Sequence, residues 1–196
     1  MRKEILRKSI HFLGIFYYPL YAFCGKILTL KIVTLLTLLS LLVEVLRRRY
    51  PIVPNWILDP YEIRGVGAHL YFGIAAIILT AFLSPEAAVT GVIVGSVGDG
   101  VAGLIKTYQR DRLRKDSPLT SKSIPLLGMF LMSFLFLFLV SNLETGFGFD
   151  FDLRVVALAC LVGAVIENRP MKIKEFYIND NLSVPLFAGI FYQLFS

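Results

Sequence analysis

Glu86-Ala-Ala-Val-Thr-Gly-Val-Ile-Val-Gly-Ser-Val-Gly-Asp-Gly-Val-Ala-Gly-Leu-Ile105 reads as a membrane-spanning helix with one residue out of place. Asp99 sits deep in this apolar run, where a carboxylate costs about 3 kcal/mol on insertion scales. It is tolerable there only if it faces a polar cavity, a partner charge or a metal ion. Gly98 and Gly100 strip the bulk from either side of it, so a ligand can come close to the backbone. Gly91, Gly95 and Gly98 also suit close packing against neighbouring helices.

Working outward, the whole chain has the composition of a membrane protein. It is 56% apolar and 17% charged, with a mean hydropathy of +0.70. Its apolar runs are too long and too many for one soluble core of 196 residues. Cys24 and Cys160 lie inside apolar runs without metal-ligand spacing and read as small hydrophobes. The first apolar run has no small-residue cleavage site and is followed by further spans, so no cleavable secretory signal is expected.

With roughly 15–20 apolar residues as the unit, the chain divides into about seven spans. They are Ser9–Phe23, Ile27–Leu46, Val66–Leu83, Glu86–Ile105, Ile124–Ser141, Leu153–Glu167 and Leu182–Phe195. The segment between Arg47 and Arg64 is broken by Pro51, Pro54 and Pro60, with an interfacial stretch expected around Trp56 and Tyr61. Basic residues alternate with this pattern. Arg2, Lys3, Arg7 and Lys8, then Arg47 to Arg49, then the 106–123 loop, then Arg169, Lys172 and Lys174 all fall on one face. The other face keeps Lys26, Lys31 and Arg154. The positive-inside rule makes the basic face, and the N-terminus, cytoplasmic. The expectation is one all-α, multi-pass integral membrane domain over 1–196.

On this topology the polar residues gather at the cytoplasmic depth. His11, Glu44, His69 and Asp99 share it with Glu167, Asp180 and Asn181, and no matching set exists at the outer face. Carboxylates and amides at one level suit a hard cation such as Mg²⁺, which takes its remaining ligands from water and substrate phosphates. Nearby Lys and Arg would hold those phosphates. Each residue also has a plainer reading. The Lys106–Lys115 stretch suits a positive-inside loop that attracts anionic lipid heads, and Glu44 suits local pairing with Arg47 or Arg48. His11, His69 and Glu167 suit helix ends, and Asn179-Asp180-Asn181 suits a turn and helix cap.

In order along the chain, five motifs resemble those of the membrane kinase family that contains dolichol, phytol and farnesol kinases and the CTP-dependent diacylglycerol kinase of fungi. They are Arg7-Lys8-Ser9-Ile10-His11, Glu44-Val45-Leu46-Arg47, Gly98-Asp99-Gly100-Val101-Ala102, Lys122-Ser123, and Glu167 with Asn179-Asp180-Asn181-Leu182 and Pro185. The chain departs from the family at Lys106 and Arg110, where spaced glycines are usual, and at Pro125-Leu126 in place of Glu-Gly. Phosphatidate cytidylyltransferases are also similar, through the membrane Gly-Asp and Lys115-Asp116-Ser117, but their His-Gly-Gly and closing Asp-Arg-x-x-Asp are missing here.

The kinase resemblance implies γ-phosphoryl transfer from CTP, or another nucleoside triphosphate, to a polyprenol-type alcohol at the cytoplasmic face. Asp99, Lys122 and Asp180 would be catalytic. Asp99, Glu167, Asp180 and Asn181 would hold Mg²⁺ or another divalent cation. Arg7, His11, Glu44, Arg47, Lys106, Lys115 and Ser123 would bind the nucleotide. The alternative enzyme is a CTP-dependent cytidylyltransferase making a CDP-activated lipid, and the non-enzyme alternative is a small transporter with Asp99 as its ion site. The expected partners are a lipid alcohol and a nucleotide within the membrane, not nucleic acid. The sequence is silent on oligomeric state.

Overall fold

Gly25 decides how the first long apolar stretch folds. Helix α1 (Arg2–His11) passes through a 3₁₀ turn (Phe12–Phe16) into α2 (Tyr17–Arg47), and within α2 Gly25 has φ 67° and ψ 177°. The Thr29 hydroxyl donates to the Leu20 carbonyl across 3.3 Å. Nine residues of straight helix would separate those positions by about 13 Å. The chain therefore doubles back at Gly25, and 17–24 and 26–47 are two arms of a hairpin. The break falls between Phe23 and Ile27, where the first two expected spans part. The computed structural model describes residues 2–50, 52, 65–113, 121–142, 149–169, 172–173 and 176–196; the side chains of 2–4, 7, 172–173 and 176–177 are outside that description.

The remaining helices are α3 (Ala68–Phe82), α4 (Pro85–Ile93), a π turn (Val94–Gly98), α5 (Asp99–Arg112), α6 (Ser123–Asn142), α7 (Leu153–Asn168) and α8 (Asp180–Phe195). A two-residue antiparallel pair, β1 (Lys172–Ile173) with β2 (Phe176–Tyr177), puts Lys172 opposite Tyr177 between α7 and α8. Apart from that pair the regular structure among the described residues is helical, as the hydropathy predicts. Local chemistry starts the helices. Ser84 accepts from Ala87 N with Pro85 in the first turn, and Asp152 accepts from Arg154 N and Val155 N.

Three helical stretches are long and apolar enough to cross a membrane: Lys8–Arg47, Pro85–Arg112 and Ser123–Asn142. The first of them is the hairpin bent at Gly25. Their surroundings differ. The most apolar window of Pro85–Arg112 is 83% buried, against 17% and 28% for the other two. The other elements thus wrap the α4–α5 segment, while Phe16, Phe23, Ile27 and Phe82 present apolar side chains outward. So large an exposed apolar surface fits a lipid surrounding better than water.

Small residues let the centre close. A Cβ at Gly91 would stand 2.5 Å from the Pro185 carbonyl oxygen and 3.2 Å from the Gly189 Cα, so α4 and α8 meet almost backbone to backbone. Polar contacts then divide the helix ends into two groups. At one end of the bundle Lys26 Nζ donates to the Leu83 carbonyl (3.2 Å), Ser84 N to Gln193 Oε1 (2.6 Å), and Asp152 N to the Tyr192 hydroxyl (3.0 Å). At the opposite end Lys8, His11, Asp99, Glu167 and Asp180 come together. The arms of the hairpin, α3, the α4–α5 segment, α6, α7 and α8 accordingly run alternately up and down, α6 lying antiparallel to α5 with Ser121 by Gln109 and Met129 by Gly98. The proline-broken segment with Trp56 and Tyr61, and residues 143–148, lie outside the described residues.

Candidate functional site

Asp99 opens α5 directly after the π turn. Such a turn carries one residue more than an α-turn, and each residue rotates the next part of the helix by about 100°. The segment Val94-Gly95-Ser96-Val97-Gly98 is small enough to be widened, and the carboxylate at its end is directed at α1. Its Oδ2 lies 3.0 Å from His11 Nδ1 and 3.5 Å from Lys8 Nζ. Lys8 and His11 are one turn apart and so share a face of α1. Gly103, one turn beyond Asp99, makes the room they need, since a Cβ there would collide with Lys8 Cε.

Two further carboxylates reach the same place. Glu167, in the last turn of α7, and Asp180, the first residue of α8, each bring an oxygen into one group with Asp99, all within 4.8 Å of one another. The Glu167 side chain is 6% exposed, and Lys106 Nζ meets its Oε1 at 2.7 Å. Its other oxygen, Oε2, is buried and has no hydrogen-bond partner among the described residues. Asp180 is oriented by its neighbours: Asn179 caps α8 by accepting from Asn181 N (3.0 Å), and Asn181 donates to Asp180 Oδ1 from its backbone N (2.9 Å) and side-chain amide (3.1 Å).

The donor set suits a hard divalent cation. Three carboxylates converge, one buried oxygen has an open coordination valence, and no thiolate or neutral imidazole dominates the cluster. The ammonium groups of Lys8 and Lys106 lie against Asp99 and Glu167, with His11 Nδ1 also 3.0 Å from Asp99, and the two lysines offset the repulsion of three acids set so close.

The remaining expected residues fall elsewhere. Glu44 forms a fork with Arg47, whose Nε and Nη2 lie 2.6 Å from its two oxygens, and Arg47 Nη2 also donates to the Gly65 carbonyl at 2.9 Å. This is the local pairing the sequence left open, with both side chains almost fully buried. His69 stands beside it across Gly67. Asn181 donates its side-chain amide to Asp180 Oδ1 and so lies at the edge of the carboxylate group. Lys122 and Ser123 are exposed at the start of α6, and among the described residues no hydrogen bond or ion pair joins them to the carboxylates. The Arg7 side chain and Lys115 lie outside the described residues. Lys8 and Gly103 are the additions. Their one-turn spacing from His11 and Asp99 is the signal that finds them.

A cavity of about 400 Å³ begins beside the carboxylates. Its lining is mainly apolar, with Leu20, Val33, Phe72 and Ala76, and includes the polar residues His11, Thr37, Ser40, His69, Ser96 and Asn181. Two of these polar residues touch site acids directly, His11 through Asp99 and Asn181 through Asp180.

Comparison of the chain with protein families, curated proteins and solved structures gave no match. The functional reading therefore rests on the chemistry of this site and the motifs that compose it.

Proposed function

We propose that the protein is a multi-pass membrane kinase that transfers the γ-phosphoryl group of CTP to a polyprenol-type alcohol at the cytoplasmic face, through seven spans with the N-terminus inside. One observation carries this reading: the Asp99–Glu167–Asp180 group, with its Glu167 oxygen unpartnered among the described residues, adjoins a mainly apolar cavity through His11 and Asn181. A hard-cation site beside a lipid-sized hollow is what joining a nucleotide to a membrane alcohol requires.

Asp99, Glu167 and Asp180 would hold Mg²⁺, with Asn181 fixing the Asp180 carboxylate. A bound Mg²⁺ supplies charge neutralisation on the β- and γ-phosphate oxygens. Lys8 and Lys106, now paired with carboxylates, lie within reach of the same phosphates. Phosphoryl transfer asks the protein for positioning and electrostatics rather than covalent chemistry. The alcohol oxygen bonds to the γ-phosphorus, the bond from that phosphorus to the β–γ bridging oxygen breaks, CDP departs, and the hydroxyl proton is released.

The test is membranes incubated with CTP labelled at the γ-phosphate and a mixed isoprenoid alcohol extract. Label should enter the lipid with the wild type and fall at least about a hundredfold with Asp99→Asn, the scale on which a preorganised electrostatic group acts. Pyrophosphate release on adding a lipid phosphate, with no labelled alcohol, would instead identify a cytidylyltransferase.

A further inference from the structure

The cavity lies between the two arms of the hairpin and α3, and its dimensions limit what can occupy it. Along α3 its lining runs from Ala68 to Ala76, eight residues or about 12 Å. An extended chain advances about 1.2 Å per bond, from 3.3–3.6 Å for the three backbone bonds of a residue, so this length takes about ten bonds. Volume leads to the same limit. At about 30 Å³ per heavy atom, the share a water molecule takes in the liquid, 400 Å³ holds about thirteen heavy atoms. Both measures correspond to a hydroxyl and two to three isoprene units. Neither leaves room for a glycerol with two acyl chains.

The cavity is only partly enclosed. Leu13 and Phe16 from the 3₁₀ turn and Leu36 from the second arm of the hairpin line it, yet each is more than half exposed on the outer surface of the bundle. A chain lying between them passes from the cavity into the surrounding lipid without crossing water. Its head end would meet His11 and Asn181, the two lining residues bonded to site acids.

We infer, building on the kinase reading, that this hollow is a single-chain alcohol subsite. It encloses the first two to three isoprene units, admits them sideways from the bilayer between Phe16 and Leu36, and leaves any longer tail in the lipid. The protein then measures the head end of its substrate and ignores the remainder.

Purified protein in vesicles of neutral phospholipid would be assayed with isoprenoid alcohols of five, ten, fifteen, twenty and fifty-five carbons and with a diacylglycerol. In parallel, a fifteen-carbon alcohol carrying a diazirine at its far end would be photo-cross-linked and the adducts mapped by mass spectrometry. The expected kcat/KM rises at least tenfold from five to fifteen carbons and is flat beyond. Diacylglycerol is not phosphorylated, and adducts fall on Leu13, Phe16 or Leu36. Ala76→Leu, which shortens the inner end, should move the plateau to shorter alcohols, and Leu36→Trp, which narrows the entry, should lower kcat/KM for the fifty-five-carbon alcohol more than for the ten-carbon one. Efficient diacylglycerol phosphorylation, a rate that climbs past twenty carbons, or adducts confined to other helices would overturn the subsite and leave the kinase standing. Adducts at these residues without transfer to any alcohol would overturn the kinase and keep the alcohol site. Neither adducts nor transfer would remove both.

Discussion

A buried acceptor without a hydrogen bond costs about 1–3 kcal/mol, and more when it is charged. Glu167 Oε2 is such an oxygen among the described residues, set beside two other acids. The cost is offset if a cation completes the group, which gives a prediction independent of turnover. Titration of the solubilised protein with Mn²⁺, followed by electron paramagnetic resonance of the free ion, should show one site. Glu167→Gln should weaken it by at least about tenfold, the lower bound for disturbing a metal's shell of ligands and their supports. An unchanged Mn²⁺ affinity would remove Glu167 from the site. Asp99, Glu167 and Asp180 were legible in the sequence because an acid within or at the end of an apolar run needs a reason. The shared level of Glu44 with these residues was legible too, but level does not fix direction around a helix. Arg47, one turn away, engages Glu44 before any ligand can. Lys8 stands out from the basic tail only by its one-turn spacing from His11, which puts the two on one face of α1.

At the scale of elements, Gly25 is the position on which the hairpin depends. Its φ of 67° with ψ of 177° belongs to a region that is essentially glycine's alone. A Cβ there meets nothing within 4 Å, so Gly25→Ala isolates the backbone cost. The variant should lose about 1–3 kcal/mol, read as a fall of a few degrees or more in melting temperature in detergent. A melting temperature equal to wild type would mean that the reversal is held by other contacts. The hydropathy pattern revealed this boundary, because two apolar runs with Gly25-Lys26 between them fit two spans better than one. The π turn before Asp99 left no comparable trace. Its residues are good for close packing in any helix, and the insertion of one residue into a turn is decided by what the widened turn packs against, namely α6 and α8.

For the molecule as a whole, the alternation of helix ends makes a topological prediction. If each arm of the hairpin crosses the bilayer, residue 26 lies outside and residue 48 inside, as the basic residues require. In a background with Cys24 and Cys160 replaced by alanine, a membrane-impermeant maleimide applied to intact cells should label Lys26→Cys and leave Arg48→Cys untouched until the membrane is opened. The reverse pattern would invert the protein, and equal labelling would deny the hairpin its transmembrane course. The labelling decides the number of crossings and their sidedness. The helical, apolar character of the molecule was legible in advance, because the length and hydropathy of its runs are properties of the chain read in order. The cavity was not. It depends on which faces of the hairpin and α3 are turned together, and nearly every face there is apolar.

The burial of the α4–α5 segment also bears on how the protein is made. Its Asp99 is enclosed by α1 from before it in the chain and by the ends of α7 and α8, which carry Glu167 and Asp180, from long after it. During synthesis Asp99 therefore leaves the ribosome well ahead of α7 and α8, beside Lys8 and His11 but with the rest of its enclosure still to come. A chain interrupted before residue 180 keeps its most hydrophobic helices yet leaves a charged helix bare to lipid, a mark by which cellular quality control can tell the fragment from the finished protein.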